Sequence, residues 1–243
     1  MKISELKVLV VEDEVKILVV EDDSFARKII LRVLGDLGYC DVADAASAES
    51  AIRLLDSTAF DLVITDVNMP GMNGLKFIQM IRSGKTRAKP GSRVMVLTLF
   101  SQTEILGTAL ALDVNGFLVK PIIPSVLEEK LARAMSEQLR LRPSIAYETV
   151  RTDPETLEKM SPKGLNGAAI ALETKVQDGN ARGHSIALHR LRPGMIVAKN
   201  ILLRDGALIL SAGQALSELT INRLRDLDAL LPSNGISILE SAV

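Results

Sequence analysis

Charged or hydroxyl side chains stand just beyond four short apolar runs of this chain. Glu21, Asp22 and Asp23 follow Lys16–Val20, Asp66 follows Leu62–Thr65, Thr98 follows Val94–Leu97, and Lys120 follows Gly116–Val119. If these runs are neighbouring parallel strands, their carboxyl ends open into one crevice where Glu21, Asp22, Asp66, Thr98 and Lys120 meet. An aspartate can take up a phosphoryl group as a nucleophile and form an acyl phosphate. Carboxylates alone would repel a phosphoryl donor, and a hard divalent cation with oxygen ligands removes that conflict. Asp22 and Asp66 are expected as direct ligands of Mg²⁺, with Glu21 acting directly or through water. Lys120 offers a compact positive charge, and Thr98 a hydroxyl donor, to phosphoryl oxygens. Positioning and charge neutralisation are nearly all that phosphoryl transfer asks of a protein.

The elements that must position these residues are legible between 16 and 140. β-Branched runs at Lys16–Val20, Cys40–Ala45, Asp61–Asp66, Arg93–Thr98 and Gly116–Lys120 alternate with segments of helical period. The first of those segments carries Phe25, Ile29, Ile30, Val33, Leu34 and Leu37 on one stripe and stops at Gly38. Further helices are expected over Ser47–Ser57, about Leu75–Arg82, about Gln102–Leu112 and from Pro124 to about Arg140. Strands alternating with helices predict βαβ units: an α/β fold, with a doubly wound five-stranded parallel sheet covered on both sides. Residues 142–184 are rich in proline, glycine and polar side chains without sustained periodicity, which predicts a flexible linker with a short helix near Pro154–Met160. From 185 to 243, brief apolar runs broken by Arg192-Pro193-Gly194 and Arg204-Asp205-Gly206, then a helical stretch over Ser217–Leu230, predict a small β-rich module with one helix. Residues 1–15 form an N-terminal extension whose Lys7–Glu14 nearly repeats Lys16–Asp23. The second copy takes the central strand, because Ser24–Leu37 supplies the helix that must follow it.

Composition narrows the class of protein. The chain has 243 residues, a net charge of −1, 3% aromatic residues and no Trp, so neither a general attraction to nucleic acid nor a base-stacking surface is implied. Apolar runs fall short of the ~20 residues of a membrane span, and the N-terminus has no signal-peptide pattern, so a cytoplasmic protein is expected. The lone Cys40 reads as a small core residue. His184 and His189, neither followed by an aspartate, read as linker or strand-surface residues.

The motifs Val19-Val20-Glu21-Asp22-Asp23-Ser24, Ile64-Thr65-Asp66-Val67-Asn68-Met69-Pro70-Gly71-Met72-Asn73-Gly74, Val96-Leu97-Thr98 and Phe117-Leu118-Val119-Lys120-Pro121 resemble, over residues 16–141, the receiver domain of two-component response regulators. Their separations also fit: 44 positions from Asp22 to Asp66, 32 on to Thr98 and 22 on to Lys120. The resemblance implies a flavodoxin-like sheet, with Asp66 as the phospho-acceptor and Glu21, Asp22 and Asp66 as the Mg²⁺ pocket. It implies Thr98 and Lys120 as phosphoryl contacts, Phe117 as a switch aromatic that turns inward as Thr98 and the loop Leu99–Thr103 move, and a cis Lys120–Pro121 junction. Asp23 reads chiefly as a helix N-cap, and Asn68 either as a modulator of dephosphorylation or as a turn residue. The implied partners are a sensor histidine kinase or a phosphotransfer protein. A homodimer through the face of the fourth helix, fifth strand and fifth helix, or an unknown downstream protein, would receive the output.

Leu191–Ala198 with Asp205–Leu216 resembles the small domain that precedes HD-GYP phosphodiesterase domains in some bacterial regulators. No enzymatic output is expected beyond self-phosphorylation and autodephosphorylation at Asp66. Two alternatives to a partner-binding switch stay open: a DNA-binding transcriptional regulator, and a stand-alone phosphate sink or adaptor of a cyclic-di-GMP pathway. Against the first, residues 186–243 balance six Arg/Lys against five Asp/Glu, and the helical stretch lacks the second helix of a helix-turn-helix. Against a small-substrate phosphatase, position 68 is Asn where a second acid would be needed.

Overall fold

The computed structural model describes residues 15–99, 104–137, 139, 141–153, 183–204, 206, 208–232 and 234–239. Five parallel strands, β1 (Ile17–Val20), β2 (Val42–Ala45), β3 (Leu62–Asp66), β4 (Arg93–Thr98) and β5 (Gly116–Val119), lie in the order β2-β1-β3-β4-β5. The register aligns Ile17 with Val42 and Leu62, Leu62 with Arg93, and Val96 with Phe117. Connecting helices are α1 (Ser24–Asp36), α2 (Ala48–Ser57), α3 (Gly74–Arg82), α4 (Glu104–Ala111) and α5 (Pro124–Ser136).

The strand side chains explain why helices cover both faces. Ile17, Val19, Leu62, Ile64, Met95, Leu97 and Leu118 face one way and pack with Ile30 and Leu34 of α1 and Leu127 and Leu131 of α5. Leu18, Val20, Val63, Val94, Val96 and Phe117 face the other way and pack with Ala51, Leu55, Ile78, Ile105 and Leu106. Period-2 alternation with both sets apolar is the pattern of a parallel sheet buried on both sides. The chain order reverses between β1 and β3, so a crevice opens beyond their carboxyl ends.

After α5 the structure departs from the expected linker. The helix ends at Ser136 rather than near Arg140, and residues 142–153 pack on the sheet domain through α6 (Ser144–Glu148). Tyr147 is fully buried and its hydroxyl donates to Asp113 at 2.9 Å. Gln79 Nε2 donates to the carbonyls of Tyr147 at 2.8 Å and Val150 at 2.7 Å, and Asn73 Nδ2 to that of Thr152 at 2.7 Å. Proline and polar residues made this stretch read as a linker; one aromatic anchor and three side-chain amide bonds hold it in place. The extension through residue 14, most of the loop 99–103 and the expected short helix at Pro154–Met160 lie outside the described residues.

Among its described residues the C-terminal module contains two antiparallel pairs, β6 (Gly183–Ile186) with β9 (Ile236–Leu239) and β7 (Ile201–Leu202) with β8 (Leu208–Leu210), and one α-helix, α7 (Glu218–Asp226). Ser217 caps α7 by accepting from the N–H of Thr220 at 3.0 Å. The module lies against the open side of β5: the Phe117 N–H donates to Asp226 Oδ2 at 3.2 Å. Cys40, expected in the core, is exposed; it sits after the α1 turn, ahead of the first buried residue of β2. His184 and His189 are both exposed. No helix among the described residues is long and apolar enough to cross a membrane.

Candidate functional site

β1 ends at Val20, and the next residue, Glu21, is 1% exposed beneath the mouth of the crevice. Asp66 ends β3 at 6% exposure, and Thr98 ends β4 at 1%. Lys120 directly follows β5, and its N–H donates to the Thr98 carbonyl at 2.9 Å, which ties the last two positions together. Lys120 Nζ lies 2.6 Å from Glu21 Oε2 and 3.2 Å from Asp66 Oδ2. Asp66 Oδ1 accepts from the Val67 N–H at 2.8 Å, leaving Oδ2 as the oxygen that faces the lysine. Glu21, Asp66 and Lys120 thus meet side chain to side chain, and Thr98 adjoins them through its backbone.

Three carboxylates gather here: one oxygen each from Glu21, Asp22 and Asp66 lies within 4.8 Å of the other two. Burial raises the Glu21 pKa above the ordinary range against the pull of Lys120, and neighbouring Asp66 and Asp22 raise it further. Burial likewise raises Asp66, although Lys120 and the Val67 N–H oppose it. Lys120 moves upward: burial works against its charge, and the bond to Glu21 with the charge of Asp66 outweighs that cost. Three acids share a single ammonium group, so the pocket carries surplus negative charge. Glu21 Oε2 is buried and makes no hydrogen bond of good geometry, its close approach to Lys120 being an ion pair. An all-oxygen donor set with excess negative charge fits a hard divalent cation such as Mg²⁺.

The other expected residues are distributed as follows. Thr98 Oγ1 donates to the Leu99 carbonyl at 3.2 Å, turned to its own backbone. Phe117 is fully buried, among side chains that include Ile105 and Leu106 of α4. Asp23 caps α1, its Oδ1 accepting from the Ala26 N–H at 2.7 Å. Asn68 is exposed just outside the acceptor, and the Lys120–Pro121 bond is cis.

Several supporting residues were not singled out in the sequence. Arg27 donates from Nη1 to the Glu21 carbonyl at 2.6 Å and from Nε to Asp44 at 2.8 Å, which fixes the acidic turn. A cation near a helix N-terminus runs against the helix dipole, and that was the available signal. Glu49 Oε1 accepts from the Met72 N–H at 3.0 Å and steadies the loop after β3. Asn73 caps α3 through the Lys76 N–H at 2.8 Å. Gly74 presses its backbone on the acceptor: a Cβ there would lie 2.0 Å from the Asp66 carbonyl oxygen.

Comparison with known proteins agrees with this geometry. Residues 17–132 match the response regulator receiver domain. Over 127 residues the chain is 43% identical to chemotaxis protein CheY1 of Helicobacter pylori, a match covering 52% of this chain and 94% of that protein. The chain belongs to the response regulator receiver family. Chemotaxis protein CheY of Pseudomonas aeruginosa is 39% identical over 128 residues, covering 53% of this chain and 94% of its own length. A CheY homolog of Campylobacter jejuni is 41% identical over 127 residues, covering 52% and 89%. The receiver match stops at residue 132, so the docked segment 142–153 and the C-terminal module lie beyond it.

Proposed function

We propose that this protein is a phosphorylation switch of a two-component system, in which Asp66 takes a phosphoryl group from a phosphohistidine donor. What carries the reading is the juxtaposition of Asp66 Oδ2 with Lys120 Nζ at 3.2 Å inside a pocket that Glu21 and Asp22 complete. Asp66 Oδ2 attacks phosphorus, the P–N bond to the donor imidazole breaks, and the departing ring nitrogen keeps the electron pair. Lys120 holds one phosphoryl oxygen, and the Thr98 hydroxyl turns from Leu99 to donate to another. Glu21, Asp22 and Asp66 would hold Mg²⁺, which supplies charge neutralisation for the incoming phosphoryl oxygens. Hydrolysis of the acyl phosphate resets the switch, and no turnover of an external substrate is proposed.

A docking rim for a protein donor is available at the mouth. Phe25 and Ile29 of α1 are 72% and 41% exposed, and Ile123 and Val126 at the start of α5 are 55% and 38% exposed. Both helices cover the same sheet face and begin at the carboxyl edge of the strands. An apolar rim around a charged pocket suits a helical protein that presents a phosphohistidine.

The test is labelling of the full chain with acetyl phosphate in Mg²⁺. Wild type is expected to gain one acid-stable, alkali-labile phosphoryl group. Asp66→Asn is expected to gain none, and chelation by EDTA is expected to abolish labelling of wild type. Undiminished labelling of Asp66→Asn would overturn the acceptor assignment, and undiminished labelling in EDTA would overturn the metal requirement.

A further inference from the structure

A cleft of about 930 Å³ opens in the C-terminal module, beyond the receiver match, where the end of β6, β7 and the turn after α7 come together. Its size is that of a small-molecule site. Ile201, Leu231 and Ile236, all buried, give it an aliphatic lining, and no Phe, Tyr or Trp lines it among the described residues. Residues 186–243 carry six Arg and Lys against five Asp and Glu, so the module as a whole is nearly neutral. Its charges are nevertheless segregated. Lys199, Arg204 and Arg225 line this one cleft together with His189, and among the described residues Asp228 is the one acid beside them.

Arg204 is the best prepared of the cations. Its backbone N–H donates to the Leu230 carbonyl at 3.0 Å and its Nε to the Leu231 carbonyl at 3.0 Å. A guanidinium fixed at Nε presents its two remaining nitrogens as a fork, the shape that takes two oxygens of one phosphate or carboxylate. Arg225 makes a single long bond, 3.3 Å from Nη1 to Asn222 Oδ1. Among the described residues none of Lys199, Arg204 and Arg225 is in an ion pair. Asn200 accepts from the Ala212 N–H at 2.9 Å through Oδ1, which leaves its Nδ2 as a further donor. A second cleft, of about 500 Å³ beside the amino ends of β3 and β4, is built differently. There Arg93 spends its guanidinium on the carbonyls of Ala134 and Met135, and Asp56 and Asp61 offset Arg87 and Lys89.

Three cations around one guanidinium fork select a group that carries close to two negative charges, as a phosphate monoester does at neutral pH. Asp228 can only accept hydrogen bonds, which suits hydroxyl groups on the body of the ligand, and the aliphatic lining suits its carbon skeleton. A nucleobase would find no aromatic ring to stack on. We propose that the module's cleft binds a small, non-aromatic, hydroxyl-bearing phosphate monoester of the sugar-phosphate class. Arg204 and Arg225 donate to the phosphate, with Lys199 adding charge, and Asp228 accepts from a hydroxyl. This site is separate from Asp66 and stands whether or not Asp66 is the acceptor.

The test is calorimetry on the full chain with glycerol 3-phosphate and glucose 6-phosphate, in EDTA so that the receiver pocket holds no metal. At least one of the two is expected to bind with a Kd of about 1 mM or tighter, and at least about ten-fold more tightly than inorganic phosphate or glucose. Arg204→Gln is expected to weaken that binding at least about ten-fold, the loss of one hydrogen bond to a charged group. Arg225→Gln, on the exposed side of α7, is expected to act in the same direction and keeps the test open if Arg204→Gln fails to fold. Arg192→Gln, exposed outside the cleft, is expected to bind as wild type does. Hydrogen exchange at 199–204 and 228–232 is expected to slow when ligand is added. Absence of binding by both esters, exchange unchanged at the cleft, or equal affinities in wild type and both cleft variants overturns the site. Inorganic phosphate binding as tightly as the esters, or adenosine 5′-monophosphate binding more tightly than they do, overturns the ligand class.

Discussion

At the scale of single residues, the functional side chains announce themselves and their supports do not. Asp66 and Lys120 are readable because a charge at the end of a buried apolar run has no packing reason to be there. Gly74 is the opposite case. It looks like one more turn glycine after Pro70-Gly71, yet its Cα faces the Asp66 carbonyl so closely that a methyl group would stand 2.0 Å from the oxygen. Its N–H also donates to the Val67 carbonyl at 2.9 Å, which locks the loop over the acceptor. Gly74→Ala is therefore expected to cost about 3 kcal/mol, the upper range for forced overpacking. Urea unfolding followed by circular dichroism measures this, and acetyl phosphate labelling of the folded variant should fall as well, because relief of the clash moves Asp66. A variant of wild-type stability would show that the loop accommodates the methyl group freely. Arg82 was equally hidden. It is fully buried, and donates to the carbonyls of Leu112, Pro90, Ser92 and Asp113. A basic residue in the last turn of an amphipathic helix reads as solvated, and only the folded loops bring four carbonyls to it.

At the scale of elements, the receiver sheet was legible because β1, β3, β4 and β5 are built on apolar runs and the helices between them carry apolar stripes, whereas β2, with Asp44 exposed, is only partly buried. Segment 142–153 was not, because its order comes from partners far away in sequence. Gln79 illustrates this: it is a polar residue on α3 that spends its amide on the carbonyls of Tyr147 and Val150. Removing that amide leaves two acceptors under a segment whose only large apolar anchor is Tyr147. Gln79→Ala is expected to lower the local opening free energy of residues 144–152 by about 2 kcal/mol, two hydrogen bonds at the usual net value. The rest of the sheet should keep its protection. Hydrogen exchange by mass spectrometry checks this, and unchanged exchange over 144–152 would mean that the Gln79 amide does not hold the segment, leaving Tyr147 and the Asn73 bond to Thr152 to do so. α7 was misleading in the same way. Asn222, Arg223 and Asp226 lie on its polar side, which in isolation predicts a face turned to water; here that face meets α5, β5 and the loop before β5.

At the scale of the whole molecule, a boundary drawn at residue 185 separates two sequence patterns but not two cores. One apolar cluster runs from Val63 and Val96 of the sheet through Ile105, Leu106 and Ala109 of α4 to Leu191, Val197, Ile209 and Leu224 of the module. The polar clasp at Asp226 lies beside this shared core, and its carboxylate is desolvated against Lys130 and Arg133. A module held by both should not melt ahead of the receiver. In urea, the exchange-derived midpoints of α7 and β9 are therefore expected to coincide with those of β1 and β3, a single cooperative transition. Asp226→Asn removes one side of a buried ionic cluster and leaves two cations facing each other. The cost should be about 3 kcal/mol, borne mainly by the docked state. Its α7 and β9 midpoints are accordingly expected to fall below those of β1 and β3, which splits the transition. Separate midpoints already present in wild type would mean that the two parts fold independently and that the shared cluster contributes little. Coincident midpoints in both proteins would mean that the apolar contacts alone hold the module, with no energetic role left for the clasp.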